Sequence, residues 1–229
     1  MRLLFRLMLS FAALLLVAAP AARAQAPSAS TIYLLQFIEV APGAQKQGAD
    51  LLKPLADVSR MEAGAVRFDV LQRTAPANQF LILETWKDQQ ALDAHMAAAH
   101  TKKFLDGIAP LLLAPIDDRP CIASNVAPAP APQGRVLYAV THVDVGPPNR
   151  EKAIDVLKTA AEAARTENGN LGVDALQQTA RTNHFEVVEV WKGRKTEDAH
   201  ETAPATKDYR ATLGPMIGAR YDRRWYRPL

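Results

Sequence analysis

"ETWKDQQALDAH" fills residues 84–95, and "EVWKGRKTEDAH" fills residues 189–200. Each writes Glu-x-Trp-Lys, five positions at which the two copies differ, then Asp-Ala-His, and the offset is 105 residues. Extending the comparison outward sets residues 32–121 against 137–226 without a gap, and 30 of the 90 positions are identical. The identities include Tyr33/Tyr138, Pro42/Pro147, Gly64/Gly169, Asn78/Asn183, Phe80/Phe185 and Pro110/Pro215. Such a repeat has to be read before the fold. Two copies are too few for a solenoid, so they indicate one compact domain written twice.

Each copy shows the same order of elements. "TIYLLQFIEV" and "VLYAVTHVDV" are apolar, β-rich runs that read as strands, ended by Pro42 and Pro147-Pro148. Leu51, Leu52, Leu55 and Val58 recur at helical spacing over residues 50–61, as do Ile154, Leu157, Ala161 and Ala164 in the copy. Pro54 dents the first of these helices, and Gly64 and Gly169 mark the turns after them. "VRFDVLQRT" and "FLILETWK" read as a hairpin around Pro76-Ala77-Asn78, with Asn78 and Asn183 as turn residues. A helix from about Gln89, broken near Ala99 (Pro204 in the copy), runs on to about Leu112, and a last strand holds residues 116–121. The order β-α-β-β-α-β is the ferredoxin-like unit, with helices on one face of the sheet. The fold class is therefore α+β. Two tandem ferredoxin-like units are expected to pair sheet to sheet as an intramolecular dimeric α+β barrel.

The expected boundaries are a signal peptide at residues 1–24, a first domain at 31–121, an Ala/Pro-rich linker at 122–134 and a second domain at 135–229. Arg2 and Arg6, the apolar run over residues 7–18, and Ala22-Arg23-Ala24 make the leader. Cleavage near Ala24 implies a secreted or periplasmic protein with no membrane attachment afterwards. The whole chain has 27 Lys+Arg against 24 Asp+Glu, but three of the arginines lie in the leader. The remaining chain is charge-balanced, which argues against a nucleic-acid partner. "RYDRRWYRPL" is locally basic but reads as an edge strand with a solvated face. Cys121 is the sole cysteine, so no internal disulfide forms.

With this order of elements, Glu84, Trp86, Ala91-Leu92, Ala94-His95, His100 and Pro110 resemble the antibiotic-biosynthesis monooxygenase family, and Glu189, Trp191, Ala199-His200 and Pro215 repeat the likeness. The resemblance implies small ferredoxin-like domains paired into a barrel and a cofactor-free mechanism. The family often has a second His five residues after the first. His100 fills that place, but Ala205 stands there in the second unit, so the first unit is expected to hold the complete site. Haem-degrading members resemble an Asn on the first strand, where this chain has Gln36 and Thr141.

The candidate catalytic residues are His95, His100, Trp86 and Glu84, with Tyr33, Phe37 and Phe80 holding the substrate. The second-unit equivalents are Trp191, His200, Glu189, Tyr138 and His142. Phe80, Ile82, Glu84 and Trp86 share a strand face, which suggests an apolar wall for an aromatic ring. His95 would be the general base for a phenolic proton. On one continuous helix His95 and His100 lie about 140° apart, and no recognised zinc spacing accompanies them. No metal is therefore expected, no G-x-G-x-x-G or P-loop indicates a nucleotide or flavin site, and the resemblance implies that no cofactor is needed. The expected activity is oxidation of a hydroquinone or polyphenolic aromatic molecule by O2, in an intramolecular pseudo-dimer that leaves further homo-oligomerisation open. The plainer alternative is a non-catalytic binding or stress-related module, in which Trp86 is a core aromatic and His95 ties helix to sheet; a haem binder is the third reading.

Overall fold

The computed structural model of the chain describes residues 31–124 and 134–229. The leader and all but the ends of the Ala-Pro linker lie outside the described residues.

The first unit runs β1 (Ile32–Glu39), α1 (Gln45–Ser59), β2 (Ala65–Arg73), β3 (Gln79–Trp86), α2 (Gln89–Ala97), α3 (Ala99–Ile108) and β4 (Asp117–Ala123). The second runs β5 (Leu137–Asp144), α4 (Arg150–Arg165), β6 (Asn170–Gln178), β7 (His184–Trp191), α5 (Arg194–Thr202), α6 (Pro204–Leu213) and β8 (Asp222–Pro228). The expected β-α-β-β-α-β order is present twice, with the second helix of each unit split in two. No described helix is long and apolar enough to cross a membrane.

The eight strands close into one antiparallel barrel in the order β1-β3-β2-β8-β5-β7-β6-β4. The two sheets do more than face each other. The last strand of each unit hydrogen-bonds to the other unit, with Cys121 opposite Gln178 and Tyr226 opposite Arg73. Among the described residues, closure leaves no strand edge unpaired. It also corrects the edge-strand reading of the C-terminal stretch: β8 pairs with both β5 and β2, and Tyr226 is buried.

Strand alternation sorts the side chains into three cores. Tyr33, Leu35, Leu81, Leu83, Tyr138, Val188 and Tyr226 fill the barrel interior. Phe68, Phe80, Ile82 and Trp86 face outward beneath α1 to α3, and Val173, Phe185 and Val187 do so in the second unit. Inside the barrel, Arg67 donates to Asp69 at 2.6 Å and to Asp174 at 2.9 Å. Asp69 and Asp174 are one repeat position, so a single arginine straddles the pseudo-two-fold relation of the units. Asn78 and Asn183 do more than turn the hairpins: their amides donate to the Val40 and Val145 carbonyls, pinning each hairpin to the end of the first strand.

Candidate active site

The motif residues meet between sheet and helices. In the first unit Glu84 and Trp86 project outward from β3, and the Trp86 indole N–H donates to Glu84 Oε2 at 2.7 Å. Asp88 caps α2 by accepting from the Ala91 N–H, which fixes the register that turns His95 inward. His95 stacks on Trp86 at 4.8 Å between ring centroids, with Phe68 edge-on at 5.5 Å. The Trp86 face expected to receive a substrate ring is thus covered by His95, and Trp86 is fully buried.

His95 gives its short hydrogen bond to Glu62, a residue outside the candidate set. Its Nδ1–H donates to Glu62 Oε1 at 2.7 Å, whereas Glu84 stands 3.9 Å from Nε2. Glu62 lies in the turn between α1 and β2, which Gly64 bends back under α2. Gly64 has φ +93°, and a Cβ there would sit 2.7 Å from that of Ala91. A signal was present: Glu62 and Glu167 are an identical pair in the repeat, each two residues before its glycine.

His100 reaches the same carboxylate. Ala98 is extended, with φ −65° and ψ 148°, so α2 ends and α3 restarts at an angle. This overturns the geometric premise used against a metal, because the 140° separation holds only on a continuous helix. His100 Nε2 lies 2.8 Å from Glu62 Oε1, on the same oxygen that His95 uses.

The second unit repeats the frame with different chemistry. Trp191 donates to Glu189 at 3.0 Å, His200 packs on Trp191 at 4.7 Å, and His200 Nδ1–H donates to Glu167 at 3.0 Å. Thr206 Oγ1 stands 3.2 Å from that nitrogen. Pro204 serves as the first residue of α6, where its missing N–H costs nothing. Ala205 then leaves open the space that His100 occupies in the first unit.

A cavity of about 430 Å³, counted to its open mouth, lies there, between Glu167, Glu189, His200, Ala205, Tyr209 and Tyr221. Its enclosed part admits little more than a water molecule. Ala205 and Tyr209 also line an outer groove of about 750 Å³ between α4 and α6, so Tyr209 stands at the passage between groove and cavity. His95 and His200 are both buried, and the cavity adjoins His200.

One repeat position divides the electrostatics. Asp118 in the first unit aligns with Arg223 in the second. Burial pushes the Glu84 carboxyl up to about 8; the Trp86 hydrogen bond opposes this and Asp118 adds to it. Glu189 is also buried, but Arg223, donating to it at 2.9 Å, and His200 outweigh burial and hold it well below the usual carboxylate range. Burial lowers His95 below its ordinary value against the pull of Glu62. At His200 burial acts the same way, but Glu189 and Glu167 outweigh it and raise the imidazole above its ordinary value. Arg223, Tyr209 and Tyr221 have no matching residue type in the first unit, so the repeat could not signal them.

The expected substrate-holding residues do not gather at the motif. Tyr33 and Phe37 point into the barrel, on the opposite side of the sheet from Trp86. Phe37 lies under the Arg119 guanidinium at 4.3 Å. Phe80 shares the outer face but packs at the far end of β3, 3.1 Å from where a Cβ on Gly48 would sit. Tyr138 is also interior and donates to Asp69 at 3.0 Å. His142 Nδ1 bonds Glu186 at 2.8 Å, and its Nε2 lies 3.2 Å from His184. Alternation decides all of this: residues 33 and 37 on β1 have the parity that faces inward, while 84 and 86 on β3 face outward.

The family model described as antibiotic biosynthesis monooxygenase matches residues 31–107 and again 136–212. The Bacillus subtilis (strain 168) protein YcnE, whose name proposes a monooxygenase, is 33% identical over 86 residues, covering 38% of this chain and 90% of YcnE. A structure from Fusobacterium nucleatum, titled as a proposed monooxygenase, superposes with a TM-score of 0.77 at 20% identity, over 88% of this chain and 93% of that one. A similarly titled Lactobacillus acidophilus structure gives 0.73 at 16% identity, over 86% and 93%. At these identities the two structures speak for the fold alone. Two matches of one family model, in register with the internal repeat, together span more than half of the sequence: the chain is a tandem member of the antibiotic biosynthesis monooxygenase family.

Proposed function

We propose that the second unit is a cofactor-independent oxygenase site for a hydroquinone-like or polyphenolic aromatic substrate, and that residues 1–24 direct its export. The observation that supports this reading is the cavity beside the Glu167–His200 pair, with an apolar floor and two tyrosines at its wall.

A phenolic ring entering from the α4/α6 groove displaces Tyr209 and brings its hydroxyl to His200. Glu167 holds the imidazole by Nδ1, and the pair accepts the phenolic proton, as a carboxylate-oriented histidine does in general-base catalysis. Arg223 keeps Glu189 ionised, and the negative charge on either side of His200 retains the transferred proton. The electron-rich phenolate then passes one electron to O2. Recombination of the radical pair oxygenates the ring carbon, and loss of water leaves a quinone. One oxygen atom stays in the product and the other departs in water.

The test is oxygen uptake by the chain lacking residues 1–24 on a panel of hydroquinones and anthrone-type phenols. Loss of uptake in His200→Ala with retention in His95→Ala is the expected result. Uptake lost only in His95→Ala would move the site to the first unit. No uptake on any substrate would favour the binding-module reading. Export is checked by the mass of the chain recovered from expressing bacteria, which should begin at residue 25.

A further inference from the structure

We propose that the first unit carries a binding site for a borderline divalent transition-metal ion, built from Glu62, His95 and His100. The three ligating atoms lie within 4.8 Å of one another. Glu62 Oε1 is 2.7 Å from His95 Nδ1 and 2.8 Å from His100 Nε2, so two imidazole N–H groups converge on one carboxylate oxygen. A tetrahedral ion with bonds of about 2.0–2.1 Å keeps its donors about 3.3–3.4 Å apart, so the two carboxylate contacts open by roughly half an ångström while the two imidazole nitrogens, within 4.8 Å of each other, settle to the same spacing. His100, on the far side of the Ala98 break, and Glu62, in a loop, are the side chains free to give that distance.

A second observation is a buried carboxyl with one oxygen unpartnered among the described residues. A metal on His95 Nδ1 leaves the ring proton on Nε2, which faces Glu84 Oε2 at 3.9 Å. Glu84 is fully buried, and its Oε1 has no partner among the described residues. A carboxylate behind the far nitrogen of a ligating histidine is the usual outer-shell arrangement and fixes the tautomer. His95 is deep, whereas Glu62 and His100 are partly exposed, which gives the ion a route in and leaves a coordination position toward solvent. Two imidazoles and one carboxylate suit Zn²⁺, Co²⁺ or Fe²⁺; Ca²⁺ and Mg²⁺ call for all-oxygen sets.

The duplication supplies an internal control. Glu167 and His200 occupy the equivalent places, but Ala205 replaces the second histidine, so the second unit offers two donors where the first offers three. The units would then divide the work, one holding an ion and the other an organic ligand. This inference does not rest on the oxidation proposed above.

Chelator-treated protein titrated with Co²⁺, followed by its visible absorption, and with Zn²⁺ by equilibrium dialysis, tests the site. One ion per chain is expected, with binding at least about tenfold weaker or lost in His100→Ala. Zn²⁺ should raise the melting temperature of the parent and not of the variant. The variant places in the first unit what the second already carries, so its fold should be retained, and circular dichroism checks this. Absence of saturable binding by the parent would overturn the proposal, as would equal affinity in folded His100→Ala.

Discussion

Glu84 and Glu189 occupy the same place in two copies of one strand, yet their ionisation is pulled in opposite directions. Both are buried and both accept an indole N–H; the difference is whether Asp118 or Arg223 stands nearby. For Glu84, raised from an ordinary 4.5 to about 8, the folded state holds its proton more tightly than the unfolded chain does. Its contribution to stability is therefore greatest below about pH 4.5 and is lost as pH rises towards 8. Glu84→Gln, neutral at every pH, should flatten that decline, so that urea midpoints of parent and variant diverge in the variant's favour between pH 5 and about 8.5. Glu189 has the opposite sign: its contribution is present above the ordinary carboxylate value and is lost only in acid. Glu189→Gln should cost about 1–3 kcal/mol at neutral pH, because Arg223 loses one of its buried partners. If His200 is the base, oxygen uptake should rise with pH along a limb lying above the ordinary imidazole value of 6.5. A limb below that value would identify His95, whose imidazole is displaced downward.

At the scale of elements, the site depends on two interruptions. One is the extended residue Ala98, matched by Ala203, which splits the second helix of each unit. The other is the turn at Gly64, which carries Glu62 under α2. Gly64→Ala meets both a left-handed backbone and the Ala91 side chain. Gly43→Ala meets the backbone penalty alone, because φ is +94° there and nothing lies within 4 Å of the added Cβ. Gly43→Ala should cost about 1–2 kcal/mol by strain, and Gly64→Ala more, by the added crowding. Denaturant unfolding of the two variants measures the difference. These interruptions were legible in part. The helix break near Ala99 and the turn at Gly64 could be read from Pro204 and the repeated glycine, but not that together they aim two histidines at one carboxylate.

For the molecule as a whole, the barrel is closed by strands that cross between units, so neither unit completes its own sheet. Residues 31–124 alone would expose β2 and β4 as unpaired edges. That fragment should assemble as a dimer, with a mass in solution twice that of the chain by light scattering. Arg67 should matter to the same closure. Its removal leaves Asp69 and Asp174 facing each other inside the barrel, and Arg67→Met should destabilise the chain by about 3 kcal/mol or more. Heat or urea unfolding of the parent should show one transition, since both units contribute strands to one sheet.

The sequence by itself determined the duplication, the order of elements, the α+β class and the pairing of units, because hydrophobic periodicity and a gapless repeat are properties of the chain's order. It also marked Glu84, Trp86 and His95, with their copies, as neighbours. Only the tertiary structure decided which groups share a space. Tyr33 and Phe37 proved to lie across the sheet from Trp86, since a strand sends alternate side chains to opposite faces and the relative parity of two strands is set by their pairing register. Glu62 joined His95 and His100 because a loop distant in sequence folds under a broken helix. The cavity beside His200 lies where Ala205 is small and His100 is large, a difference of volume that acquires meaning only once the walls around it are packed.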